Sequence, residues 1–460
     1  MKELRNKQRK GSSGIIIAVI LILIIGAFGF LYTSPMFERN APKIDIASKI
    51  DWNLRAPLKL NLSDDTGIKF VRITLSDGKN SIEIMKKLYT NIVKNQQVDI
   101  KFPKTGFTST KKNFKLLINV VDGSKWNFFS GNSAKKVVSI KIDRIRPELY
   151  VISNSYKINK GGVASVVFKA KDTNLKDLYI QTNFGKIFHV TPFYKKDYYI
   201  SLIAWPVQVK KFRATIVATD DAGNITKVPI RLFYRNIKFR VSKIKLKDNF
   251  LDGKVSDLIA EYKPELSDAS KIKKFKYINE NLRDINEKII QKYTAATDTK
   301  MIDNFYQNKF YPLKNGAKVA SFGDHRYYSY KDKQISEAWH LGIDLASIAE
   351  AKIRTKNNGV VVFANSNGIY GNNLIIYHGL GLYTLYGHCS SFLVNKGDQV
   401  KAGQAIANTG STGLALGDHL HFAVLVQGIE VRPIEWMGKS WMRKNIFDII
   451  KASKKLIDRK

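Results

Sequence analysis

Cysteine is almost absent from this chain: Cys389 is the only one in 460 residues. An intramolecular disulfide framework is therefore excluded. Cys389 directly follows His388, so on a strand it points to the opposite face, into core packing rather than toward a metal. Acidic residues are also few, 39 against 76 lysines and arginines, leaving a formal net charge of +37. Such a balance implies an anionic partner, whether nucleic acid, a membrane surface or an acidic polymer, or else a general bias toward Lys, Ile and Asn. Histidine is scarce too. There are seven, and six of them crowd between residues 325 and 421. The seventh, His189, sits between Phe188 and Val190 and reads as structural.

Charge is missing altogether from residues 15–32, IIIAVILILIIGAFGFLY. A run of about 18 or more apolar residues is long enough to span a bilayer. The preceding residues 1–14 carry Lys2, Arg5, Lys7, Arg9 and Lys10 against Glu3 alone, a flank expected to stay cytoplasmic. The run is longer than the core of a cleaved signal peptide, and no A-x-A site follows it. The expectation is an uncleaved single-pass anchor with everything after Tyr32 exported. An exported domain does not meet a genome, so nucleic acid drops out as the partner.

From about Pro42 the residues alternate at period two, as in Leu58-Lys-Leu60-Asn-Leu62 and Val71-Arg-Ile73-Thr-Leu75. The plan repeats: Asp64-Asp65-Thr-Gly67 resembles Asp172-Thr-Asn174, and Val121-Asp122-Gly123 resembles Thr219-Asp220-Asp221-Ala-Gly223-Asn224. Recurrent short strands with turn signals predict β-sandwiches at 41–143 and 144–240. The Asp-x-Ala-Gly-Asn phrase resembles bacterial immunoglobulin-like domains. Residues 254–294 change period: Tyr277-Ile278, Leu282, Ile285 and Ile289-Ile290 recur at three and four, predicting an amphipathic helix that docks on a neighbour. A second helical pattern, basic on its polar side, runs from 441 to 460, suited to a membrane surface or to packing on the preceding domain.

The crowded histidines have a usable spacing. His419 and His421 are two apart, so on a strand both face one side and can address one metal or one bound water. His340 and Asp344 are four apart with Gly342 between them, and a turn entering a strand lets them converge. One His, one Asp and one further His make three ligands with a fourth position open, the arrangement of a catalytic zinc. No H-E-x-x-H helix occurs, which excludes a thermolysin-type site.

The segments His340-Leu-Gly342-Ile-Asp344, Tyr383-Thr-Leu-Tyr386-Gly-His388, Val400-Lys-Ala-Gly403-Gln404 and Gly410-Ser-Thr-Gly413, leading to His419-Leu-His421, stand in one order. In that order they resemble the lysostaphin/LytM-type zinc endopeptidases, over about residues 310–437. The resemblance implies one Zn2+ held by His340, Asp344 and His421, with His388 and His419 catalytic. It implies a mainly β peptidase domain that cuts peptide cross-links of peptidoglycan. Tyr386, two before His388, is expected to face the cleft with it. His325 is expected on the rim, where it can line the substrate groove, and His378 at a hairpin turn.

The whole chain then reads as mainly β, in a series of parts. A basic tail (1–14) and an anchor (15–32) precede two immunoglobulin-like modules, a helical connector (254–294), the peptidase domain (310–437) and a basic helix (441–460). The expected place is a Gram-negative inner membrane with the catalytic domain periplasmic. Peptidoglycan is the expected substrate, and other wall enzymes or scaffold proteins are candidate partners of the β modules. Two alternatives stay open. Some members of the resembled family are non-enzymatic activators of wall amidases, and the connector or residues 311–330 could block the groove and leave the enzyme latent.

Overall fold

The computed structural model describes residues 12–105 and 110–459, so most of the basic tail lies outside the described residues. The chain divides into two compact units, Met1–Arg146 with Asp220–Asn224, and Pro147–Thr219 with Ile225–Lys460. The turn 220–224 therefore belongs with the first unit and not with the stretch 144–240. The Asn224 side-chain amide donates to the Asp143 carbonyl there (3.0 Å).

In the first unit a helix, Ser12–Thr33, carries the uncharged run, and none of its apolar window is buried. A six-stranded sheet follows. Two long strands, Leu58–Ser76 and Ser81–Ile100, pair along their lengths through register shifts. The first changes its other partner midway, from Lys43–Asp45 to Asn113–Asp122. Its alternating inward residues Leu60, Leu62, Val71, Ile73 and Leu75 form the core with Trp52, Phe114, Leu116 and Ile118. The period-two pattern thus becomes one buried face.

The second unit begins with two four-stranded sheets, one built on Val163–Lys171 and Tyr198–Ala204, the other on Leu175–Thr182 and Ala214–Asp220. His189 is structural here: its amide donates to Gln427 Oε1 (2.7 Å) and its carbonyl accepts from Ser201 and Gln427. A strand, Val241–Lys245, then leads into the helical stretch. Helical turns run from Asp248 to Thr294 with breaks at Lys263 and at residues 267–270, so the stretch starts earlier than its periodicity suggests. It lies on the following domain, burying Leu251, Val255, Leu258, Phe275, Ile278, Leu282 and Ile290 against Tyr328, Phe363, Ile375, Leu385 and Leu425. Full burial of such side chains stabilises by about 1.5–3 kcal/mol each.

Past this stretch an eight-stranded sheet runs in the order Ala317–Ala320, Ile343–Ala346, Leu420–Val426, Leu382–Cys389, Asn372–Tyr377, Gly359–Ser366, Gln399–Val400, with Ile429–Val431 beside Leu420–Val426. A hairpin, Asp324–Tyr330 with Lys333–His340, stands beside it and pairs in parallel with Val241–Lys245. The final helix, Asp448–Asp458, puts Ile450 and Ile457 into the main core and packs on Glu148–Asn154 and Val163–Lys171. Ser155 and Ser165 both donate to the Asn445 carbonyl just before it (2.9 and 2.6 Å). Its apolar face is therefore taken by protein, and the support it rests on is the sheet of residues 148–171.

Candidate active site

Asp344 and His421 are cross-strand partners, on Ile343–Ala346 and Leu420–Val426. His340 closes the hairpin strand just before the turn at Gly342. That turn needs glycine: a Cβ there would lie 2.6 Å from the His421 ring and 2.8 Å from the Phe422 carbonyl. The result brings three atoms together. His340 Nε2 lies 3.0 Å from Asp344 Oδ1, His421 Nδ1 lies 2.9 Å from the same oxygen, and the two nitrogens are 3.1 Å apart. All three residues are buried.

The donor chemistry fits a metal ion. His340 Nδ1 lies 2.9 Å from the Ser321 carbonyl, which can only accept, so that nitrogen carries a proton and the neutral ring presents its lone pair at Nε2. That lone pair, a carboxylate oxygen and His421 Nδ1 face one point, so the three could hold a cation there. Burial raises the Asp344 carboxyl, but the close imidazoles of His340 and His421 outweigh it and hold the group well below the usual carboxylate range. Burial, helped by neighbouring imidazoles, lowers His421 to about 4 despite the pull of Asp344, so its ring is neutral and ready to ligate.

His388 and His419 stand beside this trio. Their ring centroids are 4.8 Å apart, and His388 is 5.9 Å from His421. His388 Nδ1 donates to the Thr412 carbonyl and His419 Nδ1 to the Gly417 carbonyl, both at 2.8 Å. Each ring thereby carries a proton on Nδ1 and turns Nε2 to the cleft, and His419 Nε2 comes within 3.8 Å of Asp344 Oδ1. Burial first, then His421 and His419, pushes His388 down to about 3, so it is neutral at neutral pH.

Period-two reasoning places Tyr386 in the cleft beside His388, and the structure corrects this. Tyr386 pairs with Phe422, is fully buried on the opposite face of the sheet, and accepts a hydrogen bond from Thr384 (3.0 Å). The cause is His388 itself, whose φ is +61°. A left-handed residue breaks the alternation and turns the imidazole back to the side of His421. His325 is likewise outside the cleft lining. It alternates with Asp324 and Arg326, so its ring goes the other way, stacking on Trp339 at 4.2 Å with Nε2 3.3 Å from Glu337. His378 sits at the hairpin turn, bonded to Asn358 and Thr384. Cys389 is buried in the core, and burial pushes its thiol up to about 12.

The five site residues line a cleft of about 1090 Å³. One wall comes from Arg240, the strand Val241–Lys245 with Ser242, and the start of the helical stretch with Lys254. Lys254 Nζ reaches the Ser411 carbonyl (2.6 Å). Residues 241–254 therefore wall a cleft of that size rather than filling it. Ser242 donates to Asp324, which faces Arg326 at 3.4 Å, and Arg326 comes within 3.9 Å of Asp344. These residues escape a reading by motif. Arg326 is legible only as the alternate of His325 on one strand, and Ser242 lies 82 residues from its partner.

Comparison with known proteins agrees on the class of domain. Residues 338–433 match Peptidase family M23, so the C-terminal domain is of the LytM-type M23 class. Over 109 residues the chain is 37% identical to the DD-carboxypeptidase/endopeptidase Mpg of Neisseria meningitidis, covering 23% of this chain and 25% of that protein. It is 32% identical over 149 residues to the peptidoglycan DD-endopeptidase ShyA of Vibrio cholerae, covering 32% and 34%. It is 39% identical over 103 residues to the murein hydrolase activator NlpD of Escherichia coli, covering 22% and 27%. The chain thus spans about a quarter to a third of the length of these relatives.

Proposed function

We propose that this chain is a membrane-anchored zinc endopeptidase that hydrolyses peptide cross-links of bacterial peptidoglycan from the periplasmic side of an inner membrane. The observation that carries the reading is the convergence of His340 Nε2, Asp344 Oδ1 and His421 Nδ1 on one point, with two further imidazoles beside it. His340, Asp344 and His421 would hold one zinc ion. When bound, zinc supplies a Lewis acid that acidifies water to a pKa near ~7 and polarises a carbonyl.

The chain's own residues supply the proton handling. With Nδ1 tied to Thr412 and Gly417, the Nε2 atoms of His388 and His419 are acceptors held at the cleft. The histidine that accepts a proton from the attacking water becomes a donor at the same atom. It can then pass that proton to the leaving amine. Its partner, if protonated, can donate to the oxygen on which negative charge develops. The names of Mpg and ShyA support a D,D-cross-link as the bond, and the uncharged helix Ser12–Thr33 supports the anchor.

Likeness to an activator supports a second reading, in which the domain binds wall hydrolases without cutting. The complete ligand set weighs against it. One experiment separates the two: digestion of purified peptidoglycan by the full chain, with and without chelator, followed by mass analysis of the fragments. The expected result is conversion of cross-linked fragments to uncross-linked ones, abolished by chelator and restored by zinc. Cross-links left intact in every arm would overturn the enzymatic reading.

A further inference from the structure

In the first unit, strands Asn113–Asp122 and Ser133–Ile142 are joined by a loop closed by a buried clasp. Asp122 accepts from the Asn132 backbone amide and side chain, both at 2.7 Å. The turn at Asp220 has the same clasp, with Asn224 donating to Asp220 through backbone and side chain at 2.7 and 2.8 Å. There the clasping residues are four apart; at Asp122 they are ten apart. The longer loop holds Trp126, Phe128 and Phe129.

This loop has two features that folding alone does not require. Asn127, Phe128 and Phe129 have φ of +52°, +53° and +65°, three successive non-glycine residues in the left-handed region. Such conformations persist only where the surroundings impose them, and they cluster at functional segments. They turn the two aromatic rings outward: Phe128 is 101% exposed and Phe129 66%.

The loop is also fastened to the exit of the helix Ser12–Thr33. Lys125 donates its amide to the Met36 carbonyl (2.8 Å), and Ser124 and Asn132 donate to the Glu38 carbonyl (2.6 and 2.8 Å). The Arg39 guanidinium lies between the Tyr32 ring (4.5 Å) and the Trp126 ring (4.4 Å). Phe128 is two residues beyond Trp126, at most roughly 7 Å along the chain. Two exposed phenylalanines, exposed Lys125 and Arg39, and Tyr32 therefore gather where an apolar helix leaves a bilayer. Amphipathic aromatics and basic side chains favour that depth.

We propose that the Phe128–Phe129 tip is a second membrane contact, seated in the lipid interface beside the anchor helix and holding the first β module against the bilayer. The proposal rests on the anchor reading of residues 12–33, and the test separates the two. Cys389 is buried, so single cysteines introduced into the full chain take an environment-sensitive dye at the chosen site. Dyes are placed at Phe128→Cys, at Ile24→Cys in the helix, and at Leu88→Cys on an exposed strand position. The chain is reconstituted in vesicles of phosphatidylcholine and phosphatidylglycerol. Iodide reports access from water, and brominated lipid reports contact with the bilayer.

The expected result is lipid quenching at 24 and 128 and iodide quenching at 88. A further dye at Lys125→Cys should pass from lipid to iodide quenching when Phe128 and Phe129 are both changed to serine. Iodide quenching at 128 with lipid quenching at 24 overturns the proposal and leaves the anchor standing. Shielding of 128 from both quenchers overturns it in favour of a protein surface. No lipid quenching at 24 overturns the anchor and the proposal together.

Discussion

Two imidazole nitrogens and a carboxylate oxygen within 3.1 Å of one another offer three ligand atoms to one ion. Asp344→Ala is therefore expected to lose bound zinc and activity together. His388→Ala, whose ring is not one of the three, should keep zinc while activity falls about 10²–10⁴-fold, the range typical for removing a proton-transfer group. Atomic emission on purified variants checks both; equal zinc in wild type and Asp344→Ala would refute the ligand assignment. Gly342→Ala should lower zinc content with the fold retained, because its Cβ would meet the His421 ring at 2.6 Å. Circular dichroism alongside metal analysis distinguishes this from unfolding. The convergence of His340, Asp344 and His421 was legible in the sequence because Gly342 and the two-residue spacing of His419 and His421 are local. Tyr386 was not, since its reading assumed unbroken alternation and His388 at φ +61° breaks it.

At the scale of elements, the helical stretch packs on the C-terminal domain and lines one side of its cleft. A chain beginning at residue 295 loses strand Val241–Lys245 from one wall of the cleft and exposes the apolar surface that Phe275, Ile278, Leu282 and Ile290 cover. It should be less soluble and less active than residues 34–460. Higher activity in the shorter chain would instead support latency. The same contact carries a pH dependence. Glu430, on the strand Ile429–Val431, has Oε1 inaccessible and unpaired, and burial first, then the charge of Glu287 on the docked helix, pushes its carboxyl up to about 8. The folded state thus holds a proton that the unfolded state releases near 4.5. Stability should fall as pH rises from about 4.5 to about 8. Glu430→Gln should flatten that slope in melting curves taken across this range; an unchanged slope would assign it to other groups. Helical periodicity revealed this element but not the strand before it, because the pairing of 241–245 with 325–329 spans the whole helical stretch.

The charge of the whole molecule has a consequence independent of the cleft. A net +37 carried mostly by exposed lysines creates a long-range field and little specific pairing. Several of the ion pairs that do form join exposed partners, as with Lys245–Asp332 and Lys288–Asp284, and contribute about 0–1 kcal/mol each. Attraction to an anionic wall polymer should therefore depend steeply on salt, since the screening length falls from about 30 Å at 0.01 M to about 10 Å at 0.1 M. The test is co-sedimentation of the full-length His388→Ala variant with purified wall sacculi across that range, so that binding is read without digestion. The bound fraction should drop sharply with salt and recover on dilution. A fraction indifferent to salt would mean that the cleft and its residues, rather than the basic surface, hold the protein to the wall.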